Sequence, residues 1–220
     1  MAPRDEILDA AARLFVSKGV AGTSTRHIAD AVGIRQASLY YHFANKDQIV
    51  EELLDRSIRP TVDKVEKVEL LGGPHGTASP TALLYVLLVL DVRTLAVAPH
   101  NAGVLARLPE VQSQDYFKRH RICRDELRDA YSRLAAQAQV TGGTPTTVPL
   151  ATGPGCLTLG SMLLQLVETV IRMRSGGRQL GTEVDAQIAK SGLRLCAVPT
   201  KHIETAALEA DELIGAFDEL

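Results

Sequence analysis

Between Arg4 and Lys18 the apolar side chains fall at Ile7, Leu8, Ala11, Leu14 and Phe15. That is the i, i+3, i+4, i+7 stripe of an amphipathic helix. Asp9 and Arg13 sit one turn apart on its outer face, and Gly19 marks its C-terminal end. Ser24 or Thr25 can cap a second, short helix with Ile28, Ala29 and Val32 facing inward, ended by Gly33. A third short helix is predicted over Gln36–Phe43. Asn45 caps a fourth, with Gln48 at capping-box spacing and Ile49, Val50, Leu53 and Leu54 as its apolar face. Pro60 should kink this helix or end a segment of it.

The run Gly72-Gly73-Pro74-His75-Gly76 is a loop by composition. Ser79-Pro80 then opens a very apolar helix that reaches Val97, with Pro99 as its stop. Further helices are predicted over Asn101–Leu108, Glu110–Val140, Cys156–Arg174, Thr182–Ala197 and Thr200–Phe217, with Gly142–Gly155 as a loop. No stretch alternates as a strand would, and no internal repeat is visible. The pattern predicts an all-α chain of nine or ten helices.

Composition changes this picture little. The apolar share is 45%, aromatics are 4% and Trp is absent, so aliphatic side chains must build the core. Cys123, Cys156 and Cys196 are too few and too scattered for a disulfide framework. The N-terminus has no basic start leading into an apolar run, and the most apolar stretch, Ala82–Val92, is short for a bilayer span. The expectation is a cytoplasmic protein that does not engage a membrane. The net charge of −2 rules out a polycation, and residues 1–46 carry six basic against four acidic side chains, a mild local bias.

No catalytic motif is present: Gly-x-Ser-x-Gly, phosphate-loop and dinucleotide fingerprints are all missing. His120 and Cys123 are three apart on one predicted helix, but two ligands do not make a metal site. The expectation is no catalytic residue, no metal and no cofactor.

The informative span is Thr25–Lys46. Two helices of about two turns are joined through Gly33, where a glycine permits positive φ. Ile28, Val32, Ile34, Leu39 and Phe43 can pack on the Leu14/Phe15 stripe. This is a helix-turn-helix, whose second helix can enter a DNA major groove. Its outward residues are then Arg35, Gln36, Ser38, Tyr41 and His42. Arg suits guanine and Gln suits adenine through paired hydrogen bonds. Ser38 can bond a base or a phosphate, and Tyr41 and His42 can bond the DNA backbone. Thr25 and Lys46 stand at helix starts, where phosphate can be met. His42 can equally cap its helix, and Tyr40 fits either core or contact face.

These residues resemble the DNA-binding segment of the tetracycline-repressor (TetR) family. The shared pattern is Thr25, Ile28-Ala29, Gly33, Leu39-Tyr40-Tyr41-His42-Phe43 and Lys46, over about residues 4–54. Two departures are Ala37, where many members have Gly, and Arg35, where many have Ser. The resemblance implies an N-terminal three-helix DNA-binding domain at 1–48 and a C-terminal helical ligand-binding and dimerisation bundle at 49–220. It implies a homodimer that binds a palindromic double-stranded DNA operator as a repressor. Thr25, Arg26, Arg35, Gln36, Ser38, Tyr40, Tyr41, His42 and Lys46 would lie at or near the DNA. A small molecule in the bundle would shift the spacing of the recognition helices.

Polar residues embedded in apolar helix faces are the pocket candidates: Tyr85, Asp91, Arg93, Tyr116, Cys123, Met162 and Gln165. A largely aliphatic lining suits a hydrophobic or amphipathic effector. Dimerisation is assigned to Cys156–Arg174 and one of the last two helices. The alternative reading is a helical ligand-binding protein whose helix-turn-helix is purely structural.

Overall fold

The computed structural model describes residues 3–72, 76–97, 99–141, 158–175, 180–181 and 183–218. Among them every regular element is helical. The first four are α1 (Pro3–Lys18), α2 (Thr25–Val32), α3 (Gln36–His42) and α4 (Lys46–Leu70). Next come α5 (Pro80–Val97), a 3₁₀ helix (Pro99–Arg107), α6 (Pro109–Gln112) and α7 (Phe117–Thr141). The chain closes with α8 (Leu159–Val167), α9 (Thr169–Ser175), α10 (Val184–Leu195) and α11 (Thr200–Asp218). The predicted loop at Gly142–Gly155 lies outside the described residues, as do residues 73–75 of the glycine-rich turn.

Two apolar cores divide the chain. The N-terminal one joins Ile7, Ala11 and Phe15 of α1 to Ile28, Leu39 and Phe43, and to Ile49, Val50, Leu53 and Leu54 of α4. It also takes in Ala102, Leu105, Val111 and Phe117, which arrive from far along the chain. The larger core surrounds α5, which packs against α4, α7, α10 and α11. All positions from Thr81 to Val92 are buried. A helix apolar on every side belongs in a core. By length and composition alone α5 could cross a membrane, but 72% of that window is buried inside the bundle. α4 serves both cores, because its first half faces α1 and its second half faces α5 and α7. The apolar packing of the N-terminal unit therefore continues beyond residue 48, to Leu54.

Pro60 lies inside α4 and on its exposed side, and the helix runs on to Leu70. Two long predicted helices are broken. The one expected over Glu110–Val140 divides at residues 113–116 into α6 and α7. Val111 and Phe117 both enter the N-terminal core. Six residues apart on one continuous helix they would point about 120° apart, so the turn lets both face the same core. The helix expected over Cys156–Arg174 starts at Leu159, after the Thr158 cap, and is interrupted at Glu168. There Thr169 Oγ1 donates to the Leu166 carbonyl (2.7 Å), a local bond that competes with the helical ladder. The segment expected as a short helix at Asn101–Leu108 is the 3₁₀ helix, with Asn101 at φ +58°.

Candidate nucleic-acid interface and interior cavity

The turn between α2 and α3 is fixed at both ends. Ser24 caps α2 by accepting from the His27 amide (3.1 Å), and His27 Nδ1 accepts in return from the Ser24 amide (3.3 Å). Histidine thus takes the place usually held by Glu or Gln in a capping box. Gly33 closes α2 at φ +77°, and the Ile34 amide reaches back to the Ala29 carbonyl (3.0 Å). The space around Gly33 is open, so its requirement is the left-handed backbone alone. Ile28, Leu39 and Phe43 are fully buried, which sets the roll of α3 against α1 and α2.

That roll decides what α3 shows to solvent. Gln36, Ala37, Ser38, Tyr40 and Tyr41 are exposed, with Tyr41 88% accessible and Tyr40 48%. Arg35 precedes the helix, also exposed, and does not cap it with its side chain. Gln36 Nε2 donates to Thr25 Oγ1 (2.9 Å), and Tyr40 Oη lies 3.2 Å from that hydroxyl. Thr25, Gln36 and Tyr40 therefore form one hydrogen-bonded patch across the two helices. Tyr40 stands on the exposed side, not in the core. His42 is half-buried, edge-on to Tyr41 with centroids 5.3 Å apart. The His42 carbonyl is held by Arg4, which also pairs with Glu52 and lies over the Phe43 ring at 4.1 Å.

One cation is spent inside the protein, where the sequence reading had it available to phosphate. Lys46 Nζ donates to the carbonyls of Val20 (2.7 Å) and Thr23 (3.0 Å), so it ties the loop after α1 to the start of α4. Asp30 lies one turn from Arg26, at 4.0 Å. That pair is almost wholly exposed and contributes little to stability.

The pocket candidates do not converge. Asp91 is buried and lines a small, partly open cavity between α4, α5, the 3₁₀ helix, α7, α8 and α9. Tyr85 is buried on the same helix, and its charged neighbours Asp185, Glu204 and Asp211 belong to α10 and α11. Burial and those carboxylates push its pKa up to about 12, so it stays neutral. Arg93 pairs with Asp185 (2.8 Å) at the surface. Tyr116 packs against the N-terminal core, and Cys123 receives a hydrogen bond from Arg59 (3.4 Å). Met162 is half-buried and Gln165 is exposed on α8.

The cavity has polar walls that the sequence reading missed: Ser57, His120 and Glu168. Tyr131 Oη donates to Asp91 Oδ2 (2.8 Å), and Thr61 Oγ1 lies 3.3 Å from Oδ1 and 2.9 Å from Thr94 Oγ1, so its one proton serves either acceptor. Desolvation outweighs these bonds and raises Asp91 to about 7. Burial, with Arg124 nearby, lowers His120 to about 4. Glu168 is held by Arg107 (3.3 Å) and Arg124 (2.9 Å). His120 was discernible in principle: it lies on the buried stripe Phe117, His120, Cys123, Leu127, Ala130 and Leu134 of α7. Glu168 carries no such mark. Among the described residues no group of three His, Cys, Asp or Glu is placed to hold a metal.

Fold and exposed surface define a helix-turn-helix protein with a helical bundle behind its recognition helix. Comparison with known proteins agrees. A family model, "Bacterial regulatory proteins, tetR family", matches residues 7–53. The HTH-type transcriptional repressor KstR2 of Mycolicibacterium smegmatis is 51% identical over 51 residues, 23% of this chain and 25% of that protein. The match thus spans about a quarter of the length of these curated relatives. The crystal structure of Mycobacterium smegmatis AmtR superposes with a TM-score of 0.83 at 33% identity, covering 98% of this chain and 95% of that one. AibR, solved with isovaleryl coenzyme A and operator DNA, shares the fold, with a TM-score of 0.60 at 18% identity over 87% of this chain and 96% of that one. The chain belongs to the tetR family of bacterial regulatory proteins.

Proposed function

We propose that the protein is a cytoplasmic, ligand-responsive repressor that binds a palindromic DNA operator as a homodimer. The observation that carries this is the α3 surface. Arg35, Gln36, Ser38, Tyr40 and Tyr41 are exposed together, on a helix whose other face is locked by Leu39 and Phe43. Exposed Arg, Gln, Ser and Tyr on one short rigid helix match the donors and acceptors of a major groove. Arg26 and Thr25 flank it on α2 and suit phosphate; His42 and Lys46 then act from behind by fixing the helix ends. Binding by the relative AibR of operator DNA is consistent with this use of the fold.

A homodimer is supported by the bundle surface. Met162 and Leu166 are only half-covered on α8, Met173 is 43% exposed on α9, and Leu208 is 72% exposed on α11. Apolar positions left open in this way suit a second copy of the same face. Leu166→Glu should shift the mass measured by light scattering from dimer to monomer; an unchanged dimer would move the interface elsewhere. Release from DNA is assigned to a small amphipathic molecule in the interior cavity. Such a molecule must favour the conformation that does not fit the operator, since equal affinity for both would shift nothing.

The test is selection of bound duplexes from a random pool, followed by affinity measurements at two salt concentrations. A palindromic consensus is expected, with affinity falling as salt rises. Gln36→Ala and Tyr41→Ala should each weaken binding by about tenfold. If ligand-stripped protein enriches no sequence, the helix-turn-helix is structural and the chain is a binding module of another kind.

A further inference from the structure

Resting on the reading that the cavity takes the regulator's effector, its walls indicate what that effector is. Most polar groups there offer lone pairs; the exceptions are the proton that Asp91 holds up to a pKa of about 7 and the buried, unpartnered Nε–H of Arg124 behind Glu168. The hydrogen-bond partners of Asp91 are the neutral hydroxyls of Tyr131 and Thr61. Its one charged neighbour is another carboxylate, Glu168. Among the described residues, then, no cation offsets a charge on Asp91, and this is why burial raises its pKa so far. The His120 ring bonds the backbone of Leu54, whose carbonyl can only accept, so that ring nitrogen carries the proton. The other, Nδ1, is a bare acceptor, buried and without a partner, on a residue 5% exposed. Ser57 spends its proton on the Leu54 carbonyl (2.7 Å) and presents only lone pairs. Glu168 is an acceptor already balanced by Arg107 and Arg124.

A wall made mainly of acceptors, with a bare imidazole nitrogen and a carboxyl that no cation offsets, favours a ligand rich in donors and positively charged. The rest of the lining is aliphatic, with Leu95, Leu127, Leu164 and Ile171 among it. We propose that the effector is a small protonated amine on a short aliphatic chain, its ammonium group received by Asp91 and His120 and its chain lying against Leu127, Leu164 and Ile171. A carboxylate or phosphate ligand would instead meet Glu168, which repels it, the bare His120 nitrogen, which has no proton to give, and an Asp91 that repels it once ionised.

The position of the cavity also links this ligand to the DNA-binding half. Gly103 and Ala106 of the 3₁₀ helix line the cavity, while Ala102 and Leu105 of the same helix are packed into the N-terminal core. Arg107, at its end, holds Glu168 on the cavity wall. A cation that draws on these carboxylates acts on a segment that is part of both cores.

The test uses the full chain near neutral pH with three probes of equal shape: n-butylamine, 1-butanol and butyrate. Thermal shift and ligand-observed NMR read binding. Butylamine should bind and raise the melting temperature, and the other two should not. Asp91→Asn and His120→Phe should each weaken the amine by about tenfold, with circular dichroism confirming the fold. His120→Phe carries the test if Asp91→Asn does not fold. Butyrate binding as well as the amine, unchanged amine affinity in the variants, or no binding by any probe would each overturn the proposal. Release of selected operator DNA is measured separately. Asp91-dependent amine binding without DNA release would keep the site and overturn ligand-controlled repression. DNA release by butyrate or butanol would keep that control and overturn the amine.

Discussion

At the residue scale, the two titratable groups of the cavity pull stability in opposite directions. Asp91 is raised from 3.8 to about 7, so the folded protein keeps a proton that the unfolded chain has already released. Its contribution therefore falls as pH rises through that window. His120 is lowered from 6.5 to about 4, so the unfolded chain takes a proton that the folded protein refuses. Its contribution rises with pH over nearly the same range. In the parent the two slopes offset each other; single variants should expose them. Relative to the parent, Asp91→Asn should gain stability between pH 4 and 6.5, and His120→Phe should lose it, each by roughly 3 kcal/mol at most. Urea midpoints at the two ends of the window decide this, and slopes identical to the parent's would sink it. Part of this chemistry was visible in the sequence: Asp91 stood out as a carboxylate inside an aliphatic run, whereas His120 was passed over although it falls on the buried stripe of α7. That Tyr131 and Thr61 would be the hydrogen-bond neighbours of Asp91 was not visible, because they come from helices 40 and 30 residues away in the chain.

At the scale of elements, two glycines have different duties, and substitution separates them. Gly33 needs only its left-handed backbone, with open space around it. Gly33→Ala should therefore cost about 1 kcal/mol. Gly160 is a close approach: an added Cβ would come within 2.2 Å of Ser132 Oγ and 2.3 Å of the Arg128 carbonyl on α7. Gly160→Val should force α7 and α8 apart and cost about 2 kcal/mol or more in chemical denaturation. Equal costs at the two sites would contradict this assignment. Gly33 was legible from its place between two short periodic segments. Gly160 was not, since nothing local distinguishes a glycine that admits a neighbouring helix from one in an ordinary helix. The breaks at residues 113–116 and at Glu168 were hidden for a related reason. Their flanks carry helical periodicity, and the interruption follows from the need of Val111 and Phe117 to face one core.

At the scale of the whole molecule, the two cores are joined by α4 and by the segment from Ala102 to Phe117. Shared elements of this kind predict one cooperative unfolding transition, with coincident far-ultraviolet and tyrosine signals. Two separated transitions would show that the halves are independent and would remove the physical basis for coupling cavity to recognition helix. The sequence by itself determined the all-helical class, the N-terminal helix-turn-helix and the outward placing of Arg35, Gln36, Ser38 and Tyr41, though not the half-burial of His42. Those properties are written in local periodicity, caps and turn residues, which act over a few positions. Only the tertiary structure decided that Lys46 is spent on two loop carbonyls, that Tyr40 joins Thr25 and Gln36 at the surface, and that the pocket candidates scatter while Ser57, Asp91, His120 and Glu168 meet. These outcomes depend on which helices pack together and at what roll, a choice made by burial across the whole chain and not by the spacing of residues along it.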